Sequence, residues 1–211
     1  GDIVGTMGIS RDITKAEQLQ AAFEKEGFDL VVNAGAYTAV DHAESQRDRA
    51  FAVNEQGVAN LARACANNGT ALVHISTDYV FDGKKGSPYV ETDAPAPLSV
   101  YARSKLAGEE HVKNLAEKHY VVRSTGLYGT AGCLGKGGTN FVEGMINRAM
   151  SQPELRVVTD EVLAPTYTLD LAAKINQLMR TELFGLYHIV NHGQCSWYEF
   201  AREIIFLLKE E

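Results

Sequence analysis

Two residues four positions apart, Tyr101 and Lys105, are the pair in this sequence whose types and spacing fit proton transfer. On a helix, residues at positions i and i+4 lie on the same face, so the two side chains can meet. An ammonium group beside a phenol favours the phenolate form, which makes the tyrosine a usable general acid or base. The same spacing also occurs by chance, so the pair needs support from the residues around it.

Thr77 is the residue that could complete this pair. It lies in the sequence Ser76-Thr77-Asp78-Tyr79, directly after an apolar run that predicts a β-strand. Open α/β sheets bind their ligands at the carboxyl ends of the strands. A hydroxyl there could hydrogen-bond a substrate carbonyl oxygen while Tyr101 delivers the proton. The structural alternative is that Thr77 only caps the turn after its strand.

A candidate cofactor segment follows another predicted strand. The run at residues 30–33 ends in the small residues Ala34, Gly35 and Ala36. Small side chains at the carboxyl end of a strand let a flat cofactor approach the backbone. A tight turn would have the same composition, so both interpretations stay open.

The elements that must position these residues alternate along the chain. Short β-branched and apolar runs predict strands at residues 30–33, 71–76, 120–123, 155–158 and 186–190. Helical patterns lie at about residues 14–27, 51–67, 101 onward, 140–150, 169–179 and 197 onward. This alternation predicts an α/β fold with a parallel sheet, and the near-continuous apolar strands are typical of a sheet covered on both faces.

Helix and loop boundaries have their own signals. Thr14 and Glu17 form a capping-box pattern at the start of the first helix, which Gly27 would end. Residues 82–100 contain three prolines and break the periodic pattern. A loop of this length predicts a lid or a binding segment.

Composition argues against several classes of function. The net charge of −7, with acidic residues throughout, argues against a nucleic-acid surface. No apolar run reaches the about 20 residues of a membrane span, and the first residues carry no secretory signal, so we expect a cytoplasmic protein without a membrane partner. The three cysteines share no CxxC spacing, which indicates reduced thiols and no zinc site.

Seven segments together carry a resemblance, at residues 33–41, 53–61, 76–83, 101–105, 123–128, 160–166 and 196–198. In order and spacing they resemble the extended short-chain dehydrogenases/reductases, and most closely the dTDP-4-dehydrorhamnose reductase family. The resemblance implies an α/β fold, a Rossmann-like doubly wound parallel sheet with a small, incomplete C-terminal substrate lobe. Residues 1–138 would form a dinucleotide-binding domain that is incomplete at its N-terminus. Residues 139–211 would add late sheet elements and part of the sugar-nucleotide lobe.

The resemblance also implies roles for individual residues. The implied catalytic residues are Thr77, Tyr101 and Lys105. The implied cofactor-binding residues are Asp12, Ile13, Ala36, Tyr37, Thr38, Tyr101 and Lys105, together with Ala34 and Gly35 from the small-residue segment. The implied substrate-binding residues are Val40, Thr77, Asp78, Tyr79 and Gly126. Asn54 is implied to be structural, because it would tie neighbouring backbone segments together.

In that family the reaction is reduction of the 4-keto group of a dTDP-4-keto-6-deoxyhexose, which yields dTDP-L-rhamnose for cell-surface polysaccharide. The resemblance therefore implies a dTDP-sugar substrate and NADPH, or NADH, as the hydride donor. It allows a homodimer. A Mg²⁺ ion at a subunit interface has no support in this sequence, and we expect no metal site.

The sequence departs from the family pattern at four points. The glycine-rich phosphate loop is absent, and so is the C-terminal part of the family's length, so we expect residues 1–211 alone to bind a dinucleotide weakly. Gly126 stands where the family usually has a tryptophan, and Leu163 replaces a usual glycine. Loss of the aromatic face at position 126 predicts a roomier sugar pocket.

Two alternatives to this function stay open. Another nucleotide-sugar reductase or an epimerase would share the three catalytic residues and differ in the sugar pocket. A regulatory homologue, similar to the regulatory subunit of methionine adenosyltransferase, would instead serve a partner protein. The intact set of Thr77, Tyr101 and Lys105 favours catalysis over this second alternative.

Overall fold

The structure is a computed structural model that describes residues 14–132 and 138–210. In these ranges the strands are β1 (Leu30–Asn33), β2 (Ala71–Thr77), β3 (His119–Ser124), β4 (Leu127–Tyr128), β5 (Val162–Leu163), β6 (Thr166–Tyr167), β7 (Gly185–His188) and β8 (Cys195–Ser196). The α-helices are α1 (Ala16–Glu26), α2 (Val40–Ser45), α3 (Arg47–Phe51), α4 (Val58–Asn67), α5 (Val100–Leu115), α6 (Phe141–Ser151), α7 (Thr168–Leu178) and α8 (Trp197–Glu210). A π-helical segment, Ala52–Gly57, joins α3 to α4, and a 3-10 turn, Asp78–Val80, follows β2.

A sheet with the strand order β1-β2-β3-β7 forms the centre of the described chain. All of its pairings are parallel. The inner strands β2 and β3 are mostly buried, as expected for strands covered on both faces. The predicted α/β fold with a parallel sheet is therefore confirmed, as are the strands predicted near these four positions. Two short ladders lie outside this sheet, β4 with β6 and β5 with β8.

Helices cover both faces of the central sheet. On one face α1, α4 and α5 bury Phe23, Leu61 and Val112 in a cluster with the strands. On the other face α7 buries Leu171 and Ile175 against them. Burial of each large apolar side chain contributes about 1.5–3 kcal/mol. This arrangement confirms the doubly wound sheet.

A smaller core lies between α6 and α8, where Met145, Ala201 and Ile204 are buried. The rings of Phe141 and Phe200 stack there with their centroids 5.5 Å apart. Late elements α7 and β7 belong to the main sheet and its core. The division into residues 1–138 and 139–211 stays a prediction.

The strand predicted at residues 155–158 is wrong, because this segment has no regular secondary structure. Leu155 and Val157 pack instead into the smaller core beside α6 and α8. Their alternation with polar residues therefore reflects contact with two helices, and in the part of the chain that the structure describes no strand pairs with them.

The start of α1 also differs from its prediction. The helix begins at Ala16 with Lys15 as its N-cap residue, one residue later than the pattern of Thr14 and Glu17 predicts, and the Lys15 side chain makes no cap. The capping box of Thr14 and Glu17 stays a prediction. Gly27 ends the helix as predicted, with a φ of 61° that favours glycine.

The helix predicted from residue 51 begins four residues earlier, at Arg47, and α2 precedes it without having been predicted. The π-helical segment explains why the helix was predicted to start later in the sequence than it does. It places more residues in each turn than an α-helix does, so the apolar period of α4 does not extend back through it.

Other sequence features have a plain structural outcome. Cys65 is fully buried in α4, and burial raises the pKa of its thiol to about 12, so Cys65 is a residue of the core. No helix of the described residues is long and apolar enough to cross a membrane. Within residues 14–132 and 138–210, no group of three or more His, Cys, Asp and Glu side chains could hold a metal ion.

Candidate active site

Thr77 ends β2 at the carboxyl edge of the sheet. Its hydroxyl donates to Asp78 Oδ1 at 3.1 Å and accepts from the Tyr79 N–H at 3.2 Å. Thr77 therefore does cap the turn that follows its strand. A threonine has a single O–H, so Thr77 can donate to a substrate only when that proton turns away from Asp78.

The start of α5 is fixed by two side chains that satisfy its first N–H groups. Ser99 accepts one of them at 3.1 Å, and Glu44 of α2 accepts the Val100 N–H at 2.7 Å. A carboxylate at this end also interacts favourably with the helix dipole. Tyr101 therefore lies in the first turn of α5 and Lys105 one turn later, as the i, i+4 spacing predicted.

Lys105 is only 2% exposed, and its Nζ donates to the Ile75 carbonyl oxygen at 2.7 Å. Burial lowers the pKa of Lys105 to about 8, and the negative charge of Glu109 opposes this shift. Lys105 is therefore mainly an ammonium at neutral pH and loses its proton in the mildly alkaline range.

Tyr101 is 9% exposed and packs in a cluster that includes Tyr37 and Val40. The Tyr79 ring meets its ring edge to face, with centroids 5.9 Å apart and an interplanar angle of 84°. The structure thus brings Tyr101 together with one predicted cofactor residue, Tyr37, and two predicted substrate residues, Val40 and Tyr79.

Asn54 in the π-helical segment links the loop after β1 to α5. Its Oδ1 accepts from the Tyr37 N–H at 2.8 Å, and its Nδ2 donates to the Tyr37 carbonyl at 3.1 Å and to Ser104 Oγ at 3.0 Å. Ser104 in turn donates to the Tyr101 carbonyl at 2.7 Å. Asn54 therefore ties backbone segments together, in agreement with the structural role implied for it.

Gly108 lets α5 approach this π-helical segment closely. A Cβ atom at position 108 would lie 2.2 Å from the Asn54 carbonyl oxygen and 3.5 Å from Val58 Cβ. We expect Gly108→Ala to lower the free energy of unfolding by about 1–3 kcal/mol, because the backbones must separate.

Urea unfolding measures this effect, and Gly144→Ala in α6 is the matched control. A Cβ at Gly144 meets nothing within 4 Å, so that variant should gain about 0.5–1 kcal/mol from helix propensity. A Gly108→Ala protein as stable as the Gly144→Ala protein would contradict the close approach.

The surroundings of Asp78 and Tyr79 are acidic. Burial raises the pKa of the Asp78 carboxyl, and hydrogen bonds with the side chains of Thr125 and Thr77 oppose the shift. Burial, and then the charges of Asp78 and two further carboxylates, raise the pKa of the Tyr79 phenol. Tyr79 therefore keeps its proton and can donate a hydrogen bond to a ligand.

Gly126 and Leu163, the two residues at which the sequence departs from the family's sugar pocket, are in contact. Gly126 has a φ of +53° in the turn after β3. A Cβ atom there would lie 2.5 Å from Leu163 Cδ1 and 3.3 Å from Pro165 Cα. Leu163 is 8% exposed and fills this space. A side chain at position 126 therefore requires Leu163 to move.

The loop predicted at residues 82–100 is present up to the start of α5, and its first part lies against the carboxyl end of β7. The His188 N–H donates to Glu91 Oε1 at 2.8 Å, and His188 Nδ1 lies 3.2 Å from the Tyr89 carbonyl oxygen. The rings of Phe81 and Tyr89 stack at 4.1 Å. A role of this loop as a lid or binding segment stays a prediction.

Of the remaining predicted cofactor residues, two lie outside the described residues and the others are exposed or half-buried. Asp12 and Ile13, expected beside the adenine, lie outside the described residues. Ala34 and Gly35 are exposed at the carboxyl end of β1, and residues 36–38 are half-buried. The loop after β1 therefore offers accessible small residues next to the cluster around Tyr101.

Comparison with known proteins extends these observations. Residues 2–211 match the family described as the RmlD substrate binding domain. The chain belongs to this family. The spore coat polysaccharide biosynthesis protein SpsK of Bacillus subtilis is 42% identical over 84% of this chain and 60% of its own length. The dTDP-4-dehydrorhamnose reductase of Escherichia coli (strain K12) is 40% identical over 82% of this chain and 58% of its own length.

Solved structures of two dTDP-4-dehydrorhamnose reductases share the fold. The dTDP-4-dehydrorhamnose reductase of Bacillus anthracis, solved in complex with NADP, has a TM-score of 0.89 and 42% identity over 94% of this chain and 68% of that one. A dTDP-4-dehydrorhamnose reductase orthologue from Clostridium acetobutylicum has the same TM-score, identity and coverage. This chain spans about three-fifths of the length of the curated relatives that it matches.

Sequence reasoning missed a group of buried polar residues next to the site: Ser76 of β2, Glu109 of α5 and Arg123 of β3. Two signals could have found it. Arg123 ends an otherwise apolar run at residues 120–122, and Glu109 lies one helical turn after Lys105 on the same face. A charge within a buried run usually has a buried partner.

Proposed function

We propose that this protein reduces the 4-keto group of a dTDP-4-keto-6-deoxyhexose with NADPH or NADH, as a dTDP-4-dehydrorhamnose reductase. One observation carries the proposal. The helix with Tyr101 and Lys105 lies against the carboxyl end of β2, and Lys105 Nζ is 2.7 Å from the carbonyl of Ile75, two residues before Thr77. The relatives named dTDP-4-dehydrorhamnose reductase support the choice of substrate class.

Each of the three residues has a distinct task in this reaction. Tyr101 is the general acid that gives its phenolic proton to the carbonyl oxygen, so that C4 carries a hydroxyl at the end. The Lys105 ammonium stabilises the phenolate that remains. Thr77 donates to the same carbonyl oxygen and stabilises its developing charge, which requires a substrate to draw the Thr77 proton away from Asp78.

The residues around the site fit a nicotinamide dinucleotide. Ala34 and Gly35 are small and exposed, so a flat group can approach the backbone at the carboxyl end of β1. Tyr37, Tyr101 and Lys105 would hold the nicotinamide end, and Lys105 can donate to a ribose hydroxyl. When bound, the cofactor supplies the hydride that reaches C4.

Product analysis with the intact protein tests the proposal. Incubation with dTDP-4-dehydrorhamnose and NADPH should oxidise equimolar NADPH and yield dTDP-L-rhamnose, identified by NMR. NADPH binding without turnover of any 4-keto nucleotide sugar would favour the regulatory homologue. Turnover of a different sugar, or an epimerised product, would favour the alternative enzyme of the same superfamily.

The contact between Gly126 and Leu163 carries a prediction about specificity. Without an aromatic face at position 126, the protein should discriminate less between dTDP-4-dehydrorhamnose and related 4-keto sugars than relatives with the aromatic do. We expect Leu163→Ala to lower this discrimination further, by about 10-fold or more, because a few methylene groups in a pocket contribute about 1–3 kcal/mol.

Specificity constants for three 4-keto sugar nucleotides measure this effect. Leu169→Ala, which truncates a leucine that is 62% exposed on α7, is the control and should leave the ratios unchanged. Strict preference for the rhamnose precursor in both the parent protein and Leu163→Ala would count against an altered sugar pocket.

We also propose a cytoplasmic location, because Cys65 and Cys195 are free cysteines and free thiols are typical of reducing compartments. A homodimer stays a prediction. Sedimentation of the intact protein tests it, and a monomer at micromolar concentration would contradict it.

A further inference from the structure

A fully buried carboxylate lies one helical turn beyond Lys105. Glu109 of α5 is 0% exposed, and Arg123 of β3 is 2% exposed. Arg123 Nε lies 2.9 Å from Glu109 Oε1, and Arg123 Nη2 lies 2.6 Å from Oε2, so the pair is bidentate. The Ser76 hydroxyl of β2 donates to Glu109 Oε1 at 2.5 Å. One carboxylate therefore joins α5 to both inner strands.

The strand segment held by this carboxylate also carries the candidate site. Ser76 lies between Ile75, whose carbonyl accepts from Lys105, and Thr77. A shift of Ser76 along α5 would change the position of Thr77 relative to Tyr101. A displacement of about 1 Å in an active site can lower turnover by about 10²-fold.

Glu109 also acts on Lys105 through its charge. Its negative charge raises the pKa of Lys105 against the effect of burial. From β2, Lys105 faces His74, which is neutral because burial and the charge of Lys105 keep its pKa well below the ordinary value. From β3, the charge of Arg123 is taken up by Glu109 itself. On this face of α5, Tyr101 lies one turn before Lys105, and Lys113 lies one turn after Glu109, with its Nζ 3.7 Å from Glu109 Oε2.

Three charged side chains of the segments packed on α5 have partners other than Lys105. Glu55 of the π-helical segment lies 3.6 Å from His111 near the surface. Glu44 of α2 accepts the Val100 N–H, and Arg49 of α3 lies over the Tyr37 ring. Among the described residues, Glu109 is thus the acidic group whose charge acts on Lys105.

Stability alone gives little reason for such a pair. The desolvation of two buried charges offsets much of their attraction, and apolar residues of similar volume often stabilise a fold as well. Arg123 Nη1 has no hydrogen-bond partner among the described residues. The charge of Glu109 therefore needs a further explanation.

We propose that Glu109 is a positioning residue of the catalytic site, which holds the end of β2 that bears Thr77 against the helix of Tyr101 and Lys105 and places a carboxylate one helical turn from the Lys105 ammonium. This inference rests on the proposed reductase function. It predicts that loss of the Glu109 charge changes both the rate and its pH dependence.

Glu109→Gln in the intact protein tests both expected changes, in the rate and in its pH dependence. We expect kcat to fall by about 10-fold or more, and the alkaline limb of kcat/KM to move to lower pH by about one unit or more, because Lys105 loses its opposite charge. Glu110→Gln is the matched control. It removes a carboxylate from the next position of α5, where the side chain is 56% exposed, and should change neither quantity.

Two further variants keep the test decisive if Glu109→Gln does not fold. Glu109→Gln with Arg123→Gln replaces the ion pair by two amides and should move the alkaline limb in the same direction by a smaller amount, because both charges are lost together. Ser76→Ala removes only the hydrogen bond to β2, so kcat should fall while the limb stays in place. A lower kcat in a folded Glu109→Gln protein without any shift of the limb would leave Glu109 a structural role and overturn the proposal.

A readout without substrate distinguishes this inference from the proposed function. The pKa of Lys105 can be followed by NMR of lysine labelled with ¹³C at Cε, with its signal assigned from Lys105→Arg. It should fall in Glu109→Gln and stay unchanged in Glu110→Gln. An unchanged value in Glu109→Gln would overturn the inference, whereas a lowered value in a protein that reduces no 4-keto sugar would overturn only the proposed reaction.

Discussion

Replacement of Tyr101 by phenylalanine is expected to lower turnover by about 10²-fold or more while the fold is preserved. Tyr101 is 9% exposed, and its ring packs on Tyr79 and in the cluster with Tyr37 and Val40. A phenylalanine ring can make the same contacts. The variant therefore removes the phenolic hydroxyl that donates the proton and keeps these ring contacts.

Single-turnover rates with NADPH and dTDP-4-dehydrorhamnose measure this loss, and KM for the sugar should change much less than kcat. Tyr120→Phe is the matched control, because Tyr120 is 1% exposed in β3 and packs on the opposite face of the sheet from α5. Near-normal turnover in Tyr101→Phe would remove Tyr101 from the reaction.

The central fold could be predicted because local patterns and tertiary packing agree there. Strands such as β2 and β3 are short apolar runs with buried residues on both faces, and α5 contains Tyr101 and Lys105 at the helical spacing that the sequence shows. The segment at residues 155–158 is also rich in apolar residues, but it packs beside α6 and α8, and among the described residues it pairs with no strand. The spacing of apolar residues indicates which side chains are buried. Tertiary structure decides whether those side chains pack on helices or belong to a strand that pairs with another strand.

The candidate site likewise contains residues that the sequence could predict and a contact that it could not. Thr77, Tyr101 and Lys105 could be selected because a strand end and a helical turn constrain where their side chains lie. The contact of Leu163 with Gly126 joins residues that are 37 positions apart and has no local signal.

The charge state of Lys105 could not be predicted from the sequence either. Burial and the charge of Glu109 set it, and neither is visible in a Tyr-x-x-x-Lys motif. Burial lowers the pKa of Lys105 to about 8, so the ammonium that supports Tyr101 is lost as the pH rises through this value. The sign is therefore fixed: kcat/KM, which reports the free protein, should fall on the alkaline side near pH 8 and not on the acid side.

Lys105→Met should lower kcat/KM by about 10²-fold or more, because the phenolate of Tyr101 loses its cation and the cofactor loses a donor, while the aliphatic stem still fills the buried space. The residual activity should no longer fall near pH 8. Lys118→Met, which removes an exposed lysine after the end of α5, is the control and should keep both the rate and the alkaline limb. An alkaline limb that persists unchanged in Lys105→Met would assign that titration to another group, and would leave the buried ammonium without a part in proton transfer.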